Sequence, residues 1–248
     1  MAKPELFLVR ASFPGDPALD TAVSRALLER VGAGELPETL RLARPGAMVA
    51  FAKQDAVAAG YADAVRAARE HGFEAVLRLA GGRAAVFHEG TLAVAQAIPD
   101  PNPRPGIHDR FEASAGLIAS ALRRLGVDAR VGEVPGEYCP GGYSVNEGGR
   151  VKLAGVGQRL IKDAAHMGAV VVAQDGGRIA GVLVPVYEAL GVGFDPATAG
   201  EAGVTVDELE AGVRAEYAAH YRLVETELDD ETLALAERLR LDHLASAR

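Results

Sequence analysis

The chain has 248 residues, a formal net charge of −8, 49% hydrophobic and 5% aromatic side chains, no tryptophan and one cysteine. An acidic balance argues against a general nucleic-acid binder, which would carry a basic face. No apolar run approaches the roughly 18 residues of a membrane span, and a single cysteine excludes an internal disulfide. The first residues lack the apolar core of a signal peptide, so a cytoplasmic protein is expected, with neither membrane nor nucleic acid among its partners.

Taken in order, residues 5–10 form a short apolar run of strand length. Asp16-Pro17 then offers an N-cap followed by proline at the first helical position. Leu19, Ala22, Val23, Ala26, Leu27 and Val31 recur at helical spacing until the glycines at 32 and 34. Residues 40–44 and 48–51 read as strands joined by a Pro45-Gly46 turn. A helix is predicted over residues 54–71, with Gly72 at its C-terminal end. Residues 74–80 and 83–88 flank Gly81-Gly82, which predicts a hairpin. A strand over residues 91–98 and a proline-rich link precede a helix carrying Phe111, Leu117, Ile118, Leu122 and Leu125. A strand at residues 128–134 leads into the cysteine loop, and residues 143–146 and 150–154 flank Glu147-Gly-Gly149 as a second hairpin. Residues 167–174 follow as a buried strand. The next helix carries Ile179 to Leu190, with Pro185 expected to bend or shorten it. Thr205 and Glu208 match a capping box that opens a helix to about His220. A strand at residues 221–228 and a helix started by Asp229 end the pattern. With no repeat and no clear linker, the fold class expected is α/β (α+β), a mixed β-sheet flanked by helices, with residues 1–248 as a single domain.

The chemistry concentrates between Glu137 and Arg159. Cys139 lies among Tyr138, Pro140, Gly141 and Gly142, a turn-rich setting that favours an accessible thiol over a small buried hydrophobe. A nucleophilic cysteine needs a nearby cation or helix N-terminus to favour the thiolate. Lys152, across the predicted hairpin, is a candidate for that cation, or for a hydrogen-bond donor to a carbonyl under attack; a solvated strand lysine is the bland alternative. Arg150, Lys152, Arg159 and Lys162 together read as a basic cluster or as a solvated strand edge. Gly81 and Gly82 allow close backbone approach to a ligand, or make a turn. His88 reads as a general base or as a hydrogen-bonded structural residue. No phosphate-binding loop or dinucleotide fingerprint is present, and the histidines do not pair at metal-ligand spacing, so no metal is expected.

Arg78-x-x-Gly81-Gly82 followed by His88 resembles the signature of the lipoate/biotin protein ligase superfamily, and Lys152-x-x-Gly155-x-x-Gln158 resembles the lysine motif of its lipoate branch. The segment from Tyr138 to Tyr143 resembles the cysteine loop of octanoyl-[GcvH]:protein N-octanoyltransferases, the amidotransferases of lipoate assembly. The resemblance implies a class II synthetase-like biotin/lipoate ligase catalytic domain. It implies that Cys139 carries an octanoyl or lipoyl group as a thioester and that Lys152 binds the acyl carbonyl. Arg78, Gly81, Gly82, His88, Gly155 and Gln158 would line the acyl site. GcvH or an acyl carrier protein would be the donor, and lipoyl domains of 2-oxoacid dehydrogenase E2 subunits the acceptors. Those acceptors are commonly acidic, which makes Arg150, Arg159 and Lys162 a candidate docking patch. No cofactor is required on this reading. ATP enters only for the alternative of an ATP-dependent lipoate-protein ligase; a non-catalytic acyl- or cofactor-binding protein of the same fold is the third possibility.

Overall fold

The computed structural model of the protein describes residues 3–246. The chain opens with β1 (Glu5–Val9), α1 (Pro17–Gly32), β2 (Thr39–Ala43) and β3 (Met48–Phe51). Helices α2 (Lys53–Ala56) and α3 (Tyr61–Glu70) lead to β4 (Glu74–Leu77), β5 (Ala85–Phe87) and β6 (Thr91–Pro99). After α4 (Ile107–Arg124) come β7 (Ala129–Val131), β8 (Val145–Glu147), β9 (Val151–Ile161) and β10 (Ala164–Val172). The elements α5 (Gly176–Ala189), α6 (Val206–His220), β11 (Arg222–Glu225) and α7 (Asp230–Leu239) complete the order. Three helix starts follow directly from local chemistry. The Asp16 carboxylate accepts from the Leu19 N–H, Thr205 and Glu208 bond reciprocally, and the Asp229 side chain accepts from the Thr232 N–H. Each satisfies N–H groups that the first helical turn leaves unpaired.

The strands form an eight-stranded mixed sheet in the order β11-β1-β2-β6-β10-β9-β8-β7 and a three-stranded sheet in the order β4-β3-β5. In the large sheet β1 runs parallel to β2 and β11, while the remaining pairings are antiparallel. Side chains alternate across a strand, so each central strand serves two layers. Leu40, Leu42, Leu92, Val94 and Val171 pack against Ile118 and Leu122 of α4 and Leu209 and Val213 of α6. The opposite face looks toward α1 and the small sheet. There Leu28 and Val31 of α1 cover Ala97 and Ala164. The small sheet turns Val49, Phe51, Ala75 and Val86 toward α3 and α5, and Met48, Ala50 and Phe87 the other way.

Three expectations change. Residues 74–80 and 83–88 do not pair with each other: β4 and β5 both pair with β3, which lies between them. All four residues of β3 are buried, so it takes the centre of the small sheet, where both its edges are paired. The Gly81-Gly82 segment is therefore part of a crossing loop, not a two-residue turn. The helix expected over 54–71 is two helices, broken where the Gly60 backbone presses on the end of α5; a Cβ there would lie 1.7 Å from the Ala189 carbonyl oxygen. Helix α5 continues past Pro185 to Ala189, neither ended nor shortened by it. The expected mixed sheet flanked by helices is present; a second, smaller sheet lies beside it, and the space between the two holds the site.

Candidate active site

A cavity of about 380 Å³ lies between the sheets. Its floor is the small-residue face of the large sheet: Ala43, Ala93, Ala95, Gly155, Gly157 and Gly168. Met48, Ala50, Ala85 and Phe87 of the small sheet form the roof. Large strand residues at the floor positions would fill the space that these alanines and glycines leave. The exposed Gly81, Gly82 and Gly142 mark the mouth, where Tyr143 stacks on Phe111 at 5.1 Å between ring centroids.

Cys139 sits at this mouth, half-buried, with φ of +43° in the left-handed region that non-glycine residues rarely adopt. Hydrogen bonds to its backbone and its sulfur hold that conformation. The Cys139 N–H donates to the Tyr187 hydroxyl at 2.8 Å, and Tyr187 donates onward to the Ala84 carbonyl at 2.9 Å. The sulfur accepts from the Arg83 N–H at 3.2 Å. Sγ and the Arg78 guanidinium both crowd Gly82: a Cβ built there would lie 2.8 Å from Sγ and 2.9 Å from Arg78 Nη2. Only glycine leaves room for this approach, and its φ of +101° also favours glycine. Arg78 shapes the loop by donating to the carbonyls of Ala80, Gly81 and Arg83.

Lys152 is close to the cysteine but bonded to its backbone. Its ammonium donates to Glu137 Oε1 at 3.1 Å, to the Tyr138 carbonyl at 3.0 Å and to the Cys139 carbonyl at 2.8 Å. An ammonium has three N–H bonds, so the cysteine loop takes all of them, and Lys152 and Glu137 are both fully buried. Glu137 ties the rest of the loop together, accepting from the N–H groups of Val134 and Gly141 and from the Ser144 hydroxyl. Sequence reasoning missed Glu137 and Tyr187. Nothing local marks the first, and the second has the helical spacing of a core residue.

Arg78, Gly81, Gly82, Gly155 and Gln158 all line the cavity with Cys139 and Lys152. Gln158 donates to the Met167 sulfur at 2.7 Å and accepts from Arg110 at 3.3 Å. His88 does not join them. It is wholly buried outside the cavity lining, its Nδ1 accepts from the Gly90 N–H at 3.0 Å, and burial and the Arg178 charge push its pKa below the ordinary histidine value. Alternation along β5 accounts for this, since Ala85 and Phe87 face the cavity. The expected basic cluster also divides. Lys152 is inside, and Arg150 and Lys162 flank opposite ends of β9, roughly 40 Å apart at strand rise. Arg159 stays exposed near the mouth, beside Lys53. At the end of the cavity away from Cys139 lie Asp20, Ser24, Arg41 and His166, none of which sequence reading singled out.

No helix of the described residues is long and apolar enough to cross a membrane, and no cluster of three or more His, Cys, Asp or Glu among them could hold a metal ion.

The fold is that of the lipoate-protein ligases. A lipoate-protein ligase A bound with ATP superposes with a TM-score of 0.76 at 18% identity over 97% of this chain and 94% of the other. The bipartite lipoate protein ligase of Thermoplasma acidophilum gives 0.68 at 18% identity over 97% and 92%. The lipoyl protein ligase A/B catalytic domain model matches residues 16–193, and the chain belongs to that family. Among curated relatives, the octanoyl-[GcvH]:protein N-octanoyltransferase of Geobacillus kaustophilus is 32% identical over 157 residues, 63% of this chain and 52% of the relative. The protein of the same name from Anoxybacillus flavithermus is 35% identical over 141 residues, 57% of this chain and 50% of the relative. The matches thus span about half the length of these curated relatives.

Proposed function

We propose that the protein is an acyltransferase of protein lipoylation that moves an octanoyl or lipoyl group through a Cys139 thioester to a lysine of a lipoyl domain. The carrying observation is the sulfur held at the mouth of an apolar cavity, against Gly82 and beside the Arg78 guanidinium. In the first half-reaction the sulfur attacks the carbonyl carbon of an acyl-lysine amide on the donor. A C–S bond forms, the C–N bond breaks, and the thiol proton leaves with the departing amine. In the second half the acceptor amine attacks the thioester, the C–S bond breaks, and an amine proton returns to sulfur. Two easier steps replace one difficult one. One amide replaces another, so the exchange needs neither nucleotide nor metal.

The names of the relatives support GcvH as the donor, and the archaeal lipoylation-system neighbour, described with its E2 lipoyl domain, supports a lipoyl-domain acceptor. Lys152 serves the reaction in the first place by fixing the Cys139 turn, and it can reach an acyl carbonyl only by releasing one of its three acceptors. First and last strands of the described residues meet in one sheet, which supports a single catalytic domain over residues 1–248. A cytoplasmic location fits these carriers.

The test is transfer from octanoylated GcvH to an unmodified lipoyl domain without ATP. Transfer by the protein and none by Cys139→Ala is the expected result. Transfer that needs free lipoate and ATP, and survives Cys139→Ala, would replace this reading with that of a ligase.

A further inference from the structure

The cavity is apolar along its length but polar at its buried end, which a plain alkyl chain does not require. Thr39, Ala97 and His166 form one row across β2, β6 and β10; Arg41, Ala95 and Gly168 form the next row on the same face. His166 is 5% exposed, and neither ring nitrogen has a hydrogen-bond partner among the described residues. Its ring lies over the cavity floor, since a Cβ on Gly168 would meet Nε2 at 2.7 Å. Buried polar groups are normally hydrogen-bonded, so a free imidazole facing a cavity implies a ligand atom or water as partner.

The neighbours define what that ligand atom can be. Arg41 donates to the Ala11 and Asp20 carbonyls and to Ser24 Oγ, and its charge is matched by the Asp20 carboxylate at 2.5 Å. Both members of that pair are buried, which leaves no free cation for an anionic chain end. The Ser24 hydroxyl proton has no acceptor among the described residues. Burial, with the Arg41 charge nearby, pushes the His166 pKa down to about 4, so the ring is neutral at physiological pH and both donates and accepts. The end is therefore built for a neutral, weakly polar group.

Length places the chain terminus there. The cavity floor from β9 to β2 crosses three strand spacings, roughly 14 Å. An extended eight-carbon chain, with seven bonds of about 1.5 Å in zigzag, reaches roughly 9 Å. Starting at the thiol near β9, its distal carbons lie over β10 and β6, beside His166.

Resting on the acyl-transfer reading above, we propose that His166, aided by Ser24, recognises the distal end of the acyl chain and favours one carrying neutral sulfur, the lipoyl dithiolane, over the plain methyl end of octanoyl. Sulfur is a weak acceptor that gives the imidazole N–H a partner; a methyl end leaves it unpaired or wet.

The test is calorimetric binding of free lipoate and free octanoate to the whole chain and to His166→Leu and His166→Gln. Lipoate is expected to bind about five- to tenfold more tightly than octanoate. The ratio should fall to about one in His166→Leu and be kept largely by His166→Gln, which retains a donor. If His166→Leu does not fold, Ser24→Ala carries the same comparison, with a ratio expected to fall about twofold. Octanoate bound as tightly as lipoate, or a ratio indifferent to these changes, would overturn the proposal. Binding needs no turnover, so this outcome is separate from whether Cys139 forms a thioester.

Discussion

Lys152 and Glu137 hold the Cys139 loop from beneath, and their burial sets the consequence of removing either. Lys152→Met leaves the Glu137 carboxylate buried without its cation, a change expected to cost about 3–5 kcal/mol. Lys152→Met combined with Glu137→Gln removes both charges. The double variant should therefore recover much of the stability, measured by urea unfolding, while acyl transfer stays at least tenfold down because the Cys139 carbonyl has lost its donor. Transfer restored along with stability would show that the lysine serves folding alone. His166 makes a separate prediction about pH. Its pKa is about 4 in the folded protein against an ordinary value of 6.5, so the unfolded state binds its proton first as pH falls. Its contribution to stability is present above pH 6.5 and is lost between there and pH 4, amounting to about 3 kcal/mol. His166→Leu should flatten the stability profile in that window, and an unchanged slope would contradict the burial.

At the scale of elements, the cavity exists because β6, β9 and β10 place alanine and glycine in adjacent rows of one face. Ala95→Leu inserts three carbons into that floor. Transfer of octanoyl is expected to fall more than tenfold while butyryl transfer is retained, with a stability change of about 1–3 kcal/mol. Equal loss for both chain lengths would mean that the floor does not seat the chain. Much of this level was legible in sequence wherever the signal was local. The caps at Asp16, Thr205 and Asp229 concern three or four consecutive residues, and the β8–β9 hairpin turns at Gly148-Gly149. Gly81-Gly82 misled because a two-residue turn is also local, whereas the insertion of β3 between β4 and β5 depends on burying β3 on both faces. The motifs pointed to Cys139, Lys152, Arg78, Gly82, Gly155 and Gln158, and these residues share one cavity lining. Asp20, Arg41 and His166 come from α1, β2 and β10, far apart in sequence, and only the packing of the sheets brings them together.

For the molecule as a whole, the net charge of −8 bears on the proposed function, because the lipoyl-domain acceptors implied by the family resemblance are commonly acidic. The exposed cations nearest the mouth are on two elements: Lys53 at the start of α2 and Arg159 on β9. Reversing both, as Lys53→Glu with Arg159→Glu, should raise the acceptor KM about five- to tenfold and leave kcat within twofold, with the difference shrinking as salt rises. Reversing Arg150, at the far end of β9, should change little. If the Arg150 reversal were the damaging one, docking would have to be placed at the other end of β9.

In the proposed function Cys139 carries the acyl group. Intact-mass spectrometry of the protein mixed with octanoylated GcvH, without acceptor, tests it most directly. The expected result is an octanoyl adduct that hydroxylamine removes and that is absent from Cys139→Ala. Transfer to an added lipoyl domain with no such adduct, or an adduct that persists in Cys139→Ala, would contradict it.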